Sequence, residues 1–458
     1  MKKQQATGKI KYKLFWNWDH STTWCLNVPG SQDYGVGNYY TKPAEIFAKD
    51  FKRMIDFAAA HQIDAIGIVG LMRDAHGGEE MARRLCGYAR ENGVRIYLIA
   101  GLYSYGGLYY EGDNPLSLER FLANNPDCIG REIGGVPARV PRSTAHTKIE
   151  TCGCPSNKKL RNFVLDSLDI VFGMVPELGG IQMEVGDSWL GLCMCEKCRE
   201  RRDAMQGERI RMPGFFLSDM ADIYPEAARV IRNRSKDAWV ICEMYGHFLN
   251  NPAYERPEVP AMQELLKLPE DTFLQWGDRR LDWDAWEKNC KLPEVFRKYH
   301  HIVRCHHGSQ WRGGRNSLAV AGIRKQCRYS YLSGVQAVSL FGESSPYHTN
   351  SEFNYLAMKY FADYPLASLE QFASEVLAPL LGGSGEQAMK YLEFADLTQS
   401  PEKIPAAVNE LAKIIGKQKD VGAICRWSYL TSYLNSFLYE HTQQIAVKSG
   451  KQINLDFL

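Results

Sequence analysis

The chain reads as a (β/α)8 barrel followed by a C-terminal helical domain. Three observations predict this. Eight short apolar stretches recur through residue 341, separated by amphipathic or loop-like sequence. Most of these stretches are apolar without alternation, as expected of parallel strands covered on both faces. Beyond Ser351 the strand signals vanish and only helical periodicity remains. A doubly wound open sheet is the competing arrangement, but no glycine-rich phosphate fingerprint follows the first strand.

The first strand is the aromatic run 12–18, followed by a long polar connection to Tyr40. Apolar residues Ile46, Phe47, Phe51, Met54, Ile55, Phe57 and Ala58 then recur at the helical period. Strands are expected at 63–70 and 94–101, with a helix over 79–92 stopped by Gly93. Residues 102–152 are irregular and rich in Tyr, Gly and Pro, and a connection this long is more often functional than idle. A helix over 157–175 leads to a fourth strand at 181–185. The remaining strands are expected at 239–245, 272–277, 301–306 and 336–341, with helical stretches at 215–234, 291–300 and 317–332. The helical domain holds segments at 368–381, 386–397 and 422–447. No repeat or Pro/Ser-rich linker marks the boundary, so residues 1–350 form the barrel and 351–458 the helices packed on it.

Composition narrows the function classes. With 45% hydrophobic and 24% charged residues the chain is that of a soluble globular protein, and no apolar run would cross a bilayer. Lys plus Arg at 55 nearly balance Asp plus Glu at 53, so no global field draws a polyanion, and nucleic acid is not an expected partner. Thirteen cysteines is an odd number in a chain too long to need disulfides, which suits reduced thiols plus a metal. The N-terminus carries lysines but no apolar core of a signal peptide, pointing to a cytoplasmic protein, or to a periplasmic or secreted one whose signal was removed. Composition leaves open whether identical chains associate.

In a barrel, groups that follow the strands converge on one face. Here those groups are Asp19 and His20; Arg73, Asp74 and His76; Tyr103 to Tyr110; Glu184, Asp187 and Trp189; Glu243, Tyr245 and His247; Trp276, Asp278 and Arg279; His306, His307 and Trp311; and Glu343. Carboxylates and aromatics dominate, while nucleophile elbows and phosphate loops are missing. Paired carboxylates are what hydrolysis of a glycosidic bond requires, one as acid and one as base or nucleophile. Glu184 is the expected acid, since Met183 and Val185 beside it would favour its protonated form. Glu343 is the expected partner, with Asp278 and Glu243 in reserve, and Asp187 would orient a substrate hydroxyl or support attack by the substrate's own group. Asp19, His20, Glu243, Tyr245, Trp276, Asp278, His307 and Trp311 are the expected substrate contacts, although only one of His306 and His307 can face the site. The expected substrate is an oligo- or polysaccharide that loses a terminal sugar. A binding barrel without turnover, or a polysaccharide lyase using Tyr and His, are the alternatives.

Between Glu184 and the next helix lies Cys193-x-Cys195-x2-Cys198. Three thiols so spaced can wrap one soft cation, zinc by preference, if a fourth ligand arrives from elsewhere.

Cys154-Pro155-Ser156-Asn157 entering a helix with Arg161, then a strand ending in Glu184, then the three-thiol run, resembles the β-galactosidases of glycoside hydrolase family 42. The resemblance implies one structural Zn2+ held by Cys154, Cys193, Cys195 and Cys198, with Cys152 a bystander or alternate ligand, and an acid/base glutamate at Glu184. It spans some 45 residues and departs from that family at two points. Met183 stands where the family has Asn, and Arg304-Cys305-His306-His307 stands where its nucleophile glutamate ends the seventh strand. The thiol run after an acidic strand end, with Asn354-Tyr355-Leu356-Ala357, is also similar to barrel hydrolases related to α-glucuronidases and hexosaminidases, whose second carboxylate is placed in a way that would suit Glu343.

Overall fold

A computed structural model of the protein describes residues 8–17, 43–104, 106–110, 113–132, 134–141, 149–184, 193–203, 217–244, 258, 260–277, 292, 294–308, 317–341 and 349–449. Ten strands are present in these residues: β1 Tyr12–Asn17, β2 Ala65–Val69, β3 Arg95–Gly101, β4 Arg139–Pro141, β5 Ile149–Thr151, β6 Gly180–Glu184, β7 Trp239–Glu243, β8 Phe273–Gly277, β9 His300–Cys305 and β10 Ala337–Phe341. Eight of them close a barrel in the order β1-β10-β9-β8-β7-β6-β3-β2, every pair parallel. The other two, β4 and β5, form an antiparallel hairpin inside the stretch expected to be irregular.

Following the register from Glu184 through Glu243, Gln275, Ile302, Ala337 and Tyr12 round to β3 returns to β6 at Pro176, eight residues away. That stagger tilts the strands and stacks inward side chains in layers of four taken from alternate strands. Ile241, Ile302, Leu14 and Tyr97 form one layer, and Gln182, Gln275, Ser339 and Gly67 the layer above it. Glu243, Arg304, Trp16 and Ile99 come next towards the C-terminal mouth, with Glu184 above them. Gly67 is required in its layer because a Cβ there would meet the Tyr97 ring at 2.3 Å.

Helices α1 Ala44–Ala60, α2 Gly78–Glu91, α3 Leu118–Asn124, α4 Lys158–Met174, α5 Glu196–Asp203, α6 Leu217–Met220, α7 Tyr224–Arg234, α8 Pro260–Leu265, α9 Val320–Leu332 and α10 Thr349–Asp363 include those that cover the barrel. The period read in α1 is realised: Phe47, Phe51, Met54, Ile55 and Ala58 are buried. Each of its large apolar side chains contributes roughly 1.5–3 kcal/mol on burial. The stretch expected as a helix over 291–300 yields a single 3-10 turn, Glu294–Phe296, among the described residues.

The helix α10 packs on the barrel. Its Tyr355 ring lies 4.5 Å from that of Phe15 in β1. Asp363 at its end pairs with Lys13 at 3.5 Å, and Ala362 accepts the Ile10 amide at 2.8 Å. The helices that follow include Gly385–Ala395, Ile404–Ile415 and Val421–Ser449. They dock on α10 through a bidentate Arg426–Glu352 pair, at 2.9 and 2.8 Å, and through the Phe353–Tyr391 ring contact.

Candidate active site and four-cysteine cluster

Strand polarity decides which expected groups face the barrel axis. Odd positions on β7 and even positions on β6 point inward, so Glu243 and Glu184 both enter the mouth, each almost fully buried. Arg304, inward on β9, bridges them. Its Nη1 donates to Glu184 Oε1 at 3.2 Å and its Nη2 lies 3.0 Å from Glu243 Oε1. The guanidinium also lies over the Trp16 ring, 4.6 Å from its centroid. A planar fork with two donor directions can hold two carboxylates at once, and a stacked indole fixes its plane.

The surroundings of Glu184 differ from those expected. Met183 points into the shell, where it joins the outer core, and so does not cover the carboxylate. Beside Glu184 Oε1 stand the Arg304 guanidinium and the Gln182 amide, which donates at 3.3 Å. Donors of this kind bind the ionised carboxylate, so the expected apolar enclosure is replaced by a polar one. Arg304 is the residue of this candidate site that sequence reasoning passed over. Its signal was present in the arginine at the end of the seventh barrel strand, a position whose parity with Ile302 puts it inside.

Two expected substrate contacts face the other way. Trp276 is buried between barrel and helices, where its Nε1 donates to His301 Nδ1 at 3.0 Å. An indole packed so offers no face to a sugar. The His307 ring lies against α9, where a Cβ on Gly322 would come within 2.4 Å of it. Its neighbour His306 turns to the mouth, edge-on to Trp16 with centroids 5.1 Å apart. Opposite pointing of adjacent residues at the strand end thus selects His306 rather than His307. After β2, His76 stacks on Phe47 at 3.9 Å in the core, whereas Arg73 reaches the barrel interior over Tyr110, 4.6 Å from its centroid. Asp19, His20, Asp187, Tyr245, Asp278, Trp311 and Glu343 lie outside the described residues.

Beside this mouth the hairpin β4–β5 brings Cys154 to Cys193, Cys195 and Cys198. All four Sγ atoms lie within 4.8 Å of one another, and three of the residues are buried. Cys154 Sγ is 3.8 Å from both Cys195 Sγ and Cys198 Sγ. A tetrahedral ion with metal–sulfur bonds of ~2.3 Å needs sulfurs ~3.8 Å apart, the spacing of these two pairs, so the four thiols could hold a metal ion. The donors around them suit thiolates: the Arg131 amide points at Cys193 Sγ from 3.4 Å, the Ser156 hydroxyl lies 3.1 Å from Cys198 Sγ, and Arg201 Nη2 is 3.6 Å from it. Hydrogen bonds from Cys154, Cys193 and Ser156 and the charge of Arg201 hold the Cys198 thiol well below its usual range, while Cys154, which shares its proton with Cys193 and Cys198, is held above its own. Cys152 is not in the cluster. Behind it the fully buried Asp219 accepts from Arg201 at 2.5 Å and from Arg202 at 3.1 Å, tying α5 to α6.

No family model matches the chain, and no curated protein matches it. Among solved structures it is similar to the β-N-acetylhexosaminidase of Bacteroides fragilis, with 15% identity over 83% of this chain and 71% of that one, at a TM-score of 0.45. A catalytic module of a pneumococcal exo-β-D-N-acetylglucosaminidase shows 11% identity over 94% and 98%, at 0.42. The β-mannanase of the blue mussel Mytilus edulis shows 9% over 76% and 91%, at 0.39.

Proposed function

We propose that this barrel is a glycoside hydrolase that removes a terminal sugar from an oligo- or polysaccharide. One observation carries the reading: carboxylates from two adjacent strand ends, Glu184 and Glu243, meet inside the mouth on one guanidinium. A cluster of this kind at the C-terminal face is expensive to bury and serves no packing need, which favours a chemical role. Because Arg304 and Gln182 donate to Glu184, its proposed role is that of the charged carboxylate, stabilising positive charge at the sugar carbon or activating the attacking group. Glu343, two residues past β10 in the sequence, is proposed as the proton donor, and Asp187 as the group that orients a substrate hydroxyl. His306 stands beside them as a candidate sugar contact, with Trp16 packed beneath it and under Arg304.

The four cysteines are proposed to hold one structural Zn2+. Four thiolates leave no position for substrate, so the ion would staple the chain after β3 to the chain after β6, on either side of Glu184.

The test is a panel of aryl glycosides with NMR of the product anomer, on the natural protein and on Glu184→Gln and Glu343→Gln. Turnover of one glycoside, lost by at least a hundredfold in Glu184→Gln, is expected, each lost tenfold being ~1.4 kcal/mol of transition-state binding. Near-full activity in Glu184→Gln overturns the assignment. Sugar binding without turnover would make the barrel a binding protein, and an ultraviolet rise from an unsaturated uronate would make it a lyase.

A further inference from the structure

The layer beneath the Arg304 bridge is polar where barrels of this kind are usually filled by branched apolar side chains. It contains Gln182, Gln275, Ser339 and Gly67. Both glutamines are almost wholly buried. Gln182 spends its Nε2 on Glu184 at 3.3 Å. Among the described residues its Oε1 has no hydrogen-bond partner, nor has either amide atom of Gln275. Leu14, Ile241 and Ile302 in the layer below carry no polar side-chain atom, and the Tyr97 hydroxyl there donates to the Phe15 carbonyl at 3.2 Å.

Leaving three amide atoms dry on the barrel axis costs about 1–3 kcal/mol each. Buried polar atoms without protein partners are met in native proteins by internal water, which needs two to four such partners. Gln275 offers one donor group and one acceptor, and Gln182 a second acceptor. We propose that Gln182 and Gln275 bind internal water on the barrel axis, and that this layer acts as a positioning floor for Glu184. Water bound to the Gln182 carbonyl and to the Gln275 amide holds the Gln182 side chain in the rotamer that presents its Nε2 to Glu184 Oε1. Neither glutamine touches the reacting atoms. The positioning role rests on the reading of Glu184 as a catalytic carboxylate, whereas the water site does not.

Two variants test the proposal on the full chain. Gln275→Leu removes two of the water's three partners without changing charge, and Gln182→Met removes the donor to Glu184. A crystal structure of the natural protein is expected to show water within hydrogen-bond distance of Gln275, and Gln275→Leu is expected to lack it and to melt lower. If the axis is dry, Gln275→Leu melts higher, because unmet polar atoms have been removed, and the proposal fails. For the positioning role, Gln182→Met is expected to lose about tenfold in kcat with KM little changed, the effect of one lost hydrogen bond to a charged group. Its acidic pH limb is expected to move upward, since the carboxylate loses a donor. An unshifted pH profile, or a loss confined to KM, overturns the positioning role. Activity untouched in Glu184→Gln would instead overturn the catalytic reading and leave the crystallographic and melting results on the water standing.

Discussion

Replacing Arg304 by Met gives the sharpest test of the site, because two buried carboxylates depend on one cation. The side chains of Arg304, Glu184 and Glu243 are 5%, 7% and 3% exposed, so solvent does little to screen the charges left behind. Removing one partner of a buried pair costs ~3–5 kcal/mol, and here two anions lose the same cation. The deficit must depend on pH with a definite sign. In the variant both carboxyls stay buried without the Arg304 charge and hold their protons more tightly than in the unfolded chain, where Glu titrates near ~4.3. The loss is therefore small near that pH and grows as the pH rises above it. Urea unfolding at pH 5 and pH 8 should show the variant falling behind the natural protein mainly at pH 8. Adding Glu243→Gln to the variant should recover part of the loss, with a coupling between the two sites of ~1–3 kcal/mol. A deficit that is equal at both pH values, or strict additivity of the two substitutions, would refute the shared-guanidinium account.

Other expectations follow from the shell and the cluster. His301 takes its Nδ1 bond from Trp276 and lies 2.9 Å from the Phe296 carbonyl through Nε2, an arrangement that suits the neutral imidazole, and burial pushes its pKa from 6.5 down to about 4. Since the unfolded chain takes up this proton first, the group stabilises the fold above pH 6.5, and that stability is lost as the pH falls from 6.5 to 4, on the order of 3 kcal/mol in all. A His301→Gln variant should lose this part of the pH dependence in denaturant titrations, and an unchanged slope would count against it. Elemental analysis should find about one zinc per chain, and a strong chelator should lower Tm and open 126–154 and 193–203 to protease before activity falls. Asp219→Asn should cost ~3 kcal/mol in urea unfolding, since Arg201 and Arg202 both lose a buried anion.

The barrel was legible in the sequence because its evidence is local. Eight apolar stretches between amphipathic helices state the strand count and the covering of both faces, and each barrel strand appears within a residue or two of its expected place. The thiol cluster was legible for the same reason, since three of its thiols sit within six residues. The fourth, Cys154, was reached only through resemblance, and 38 intervening residues between it and Cys193 are closed by the hairpin β4–β5, which no short-range pattern announced.

What the sequence by itself determined is periodicity: which residues alternate, where helices turn and stop, and which acids lie at strand ends. Only the tertiary structure decided facing and partnership. Barrel closure with its eight-residue stagger sets Glu243 and Arg304 in one layer with Glu184 above them, across 120 residues of chain between Glu184 and Arg304. The same closure turns Trp276 and His307 to the helices and His306 to the mouth. Pleating alternates side chains along every strand, but which parity faces the axis, and which distant strand supplies the neighbour, depends on how the sheet closes.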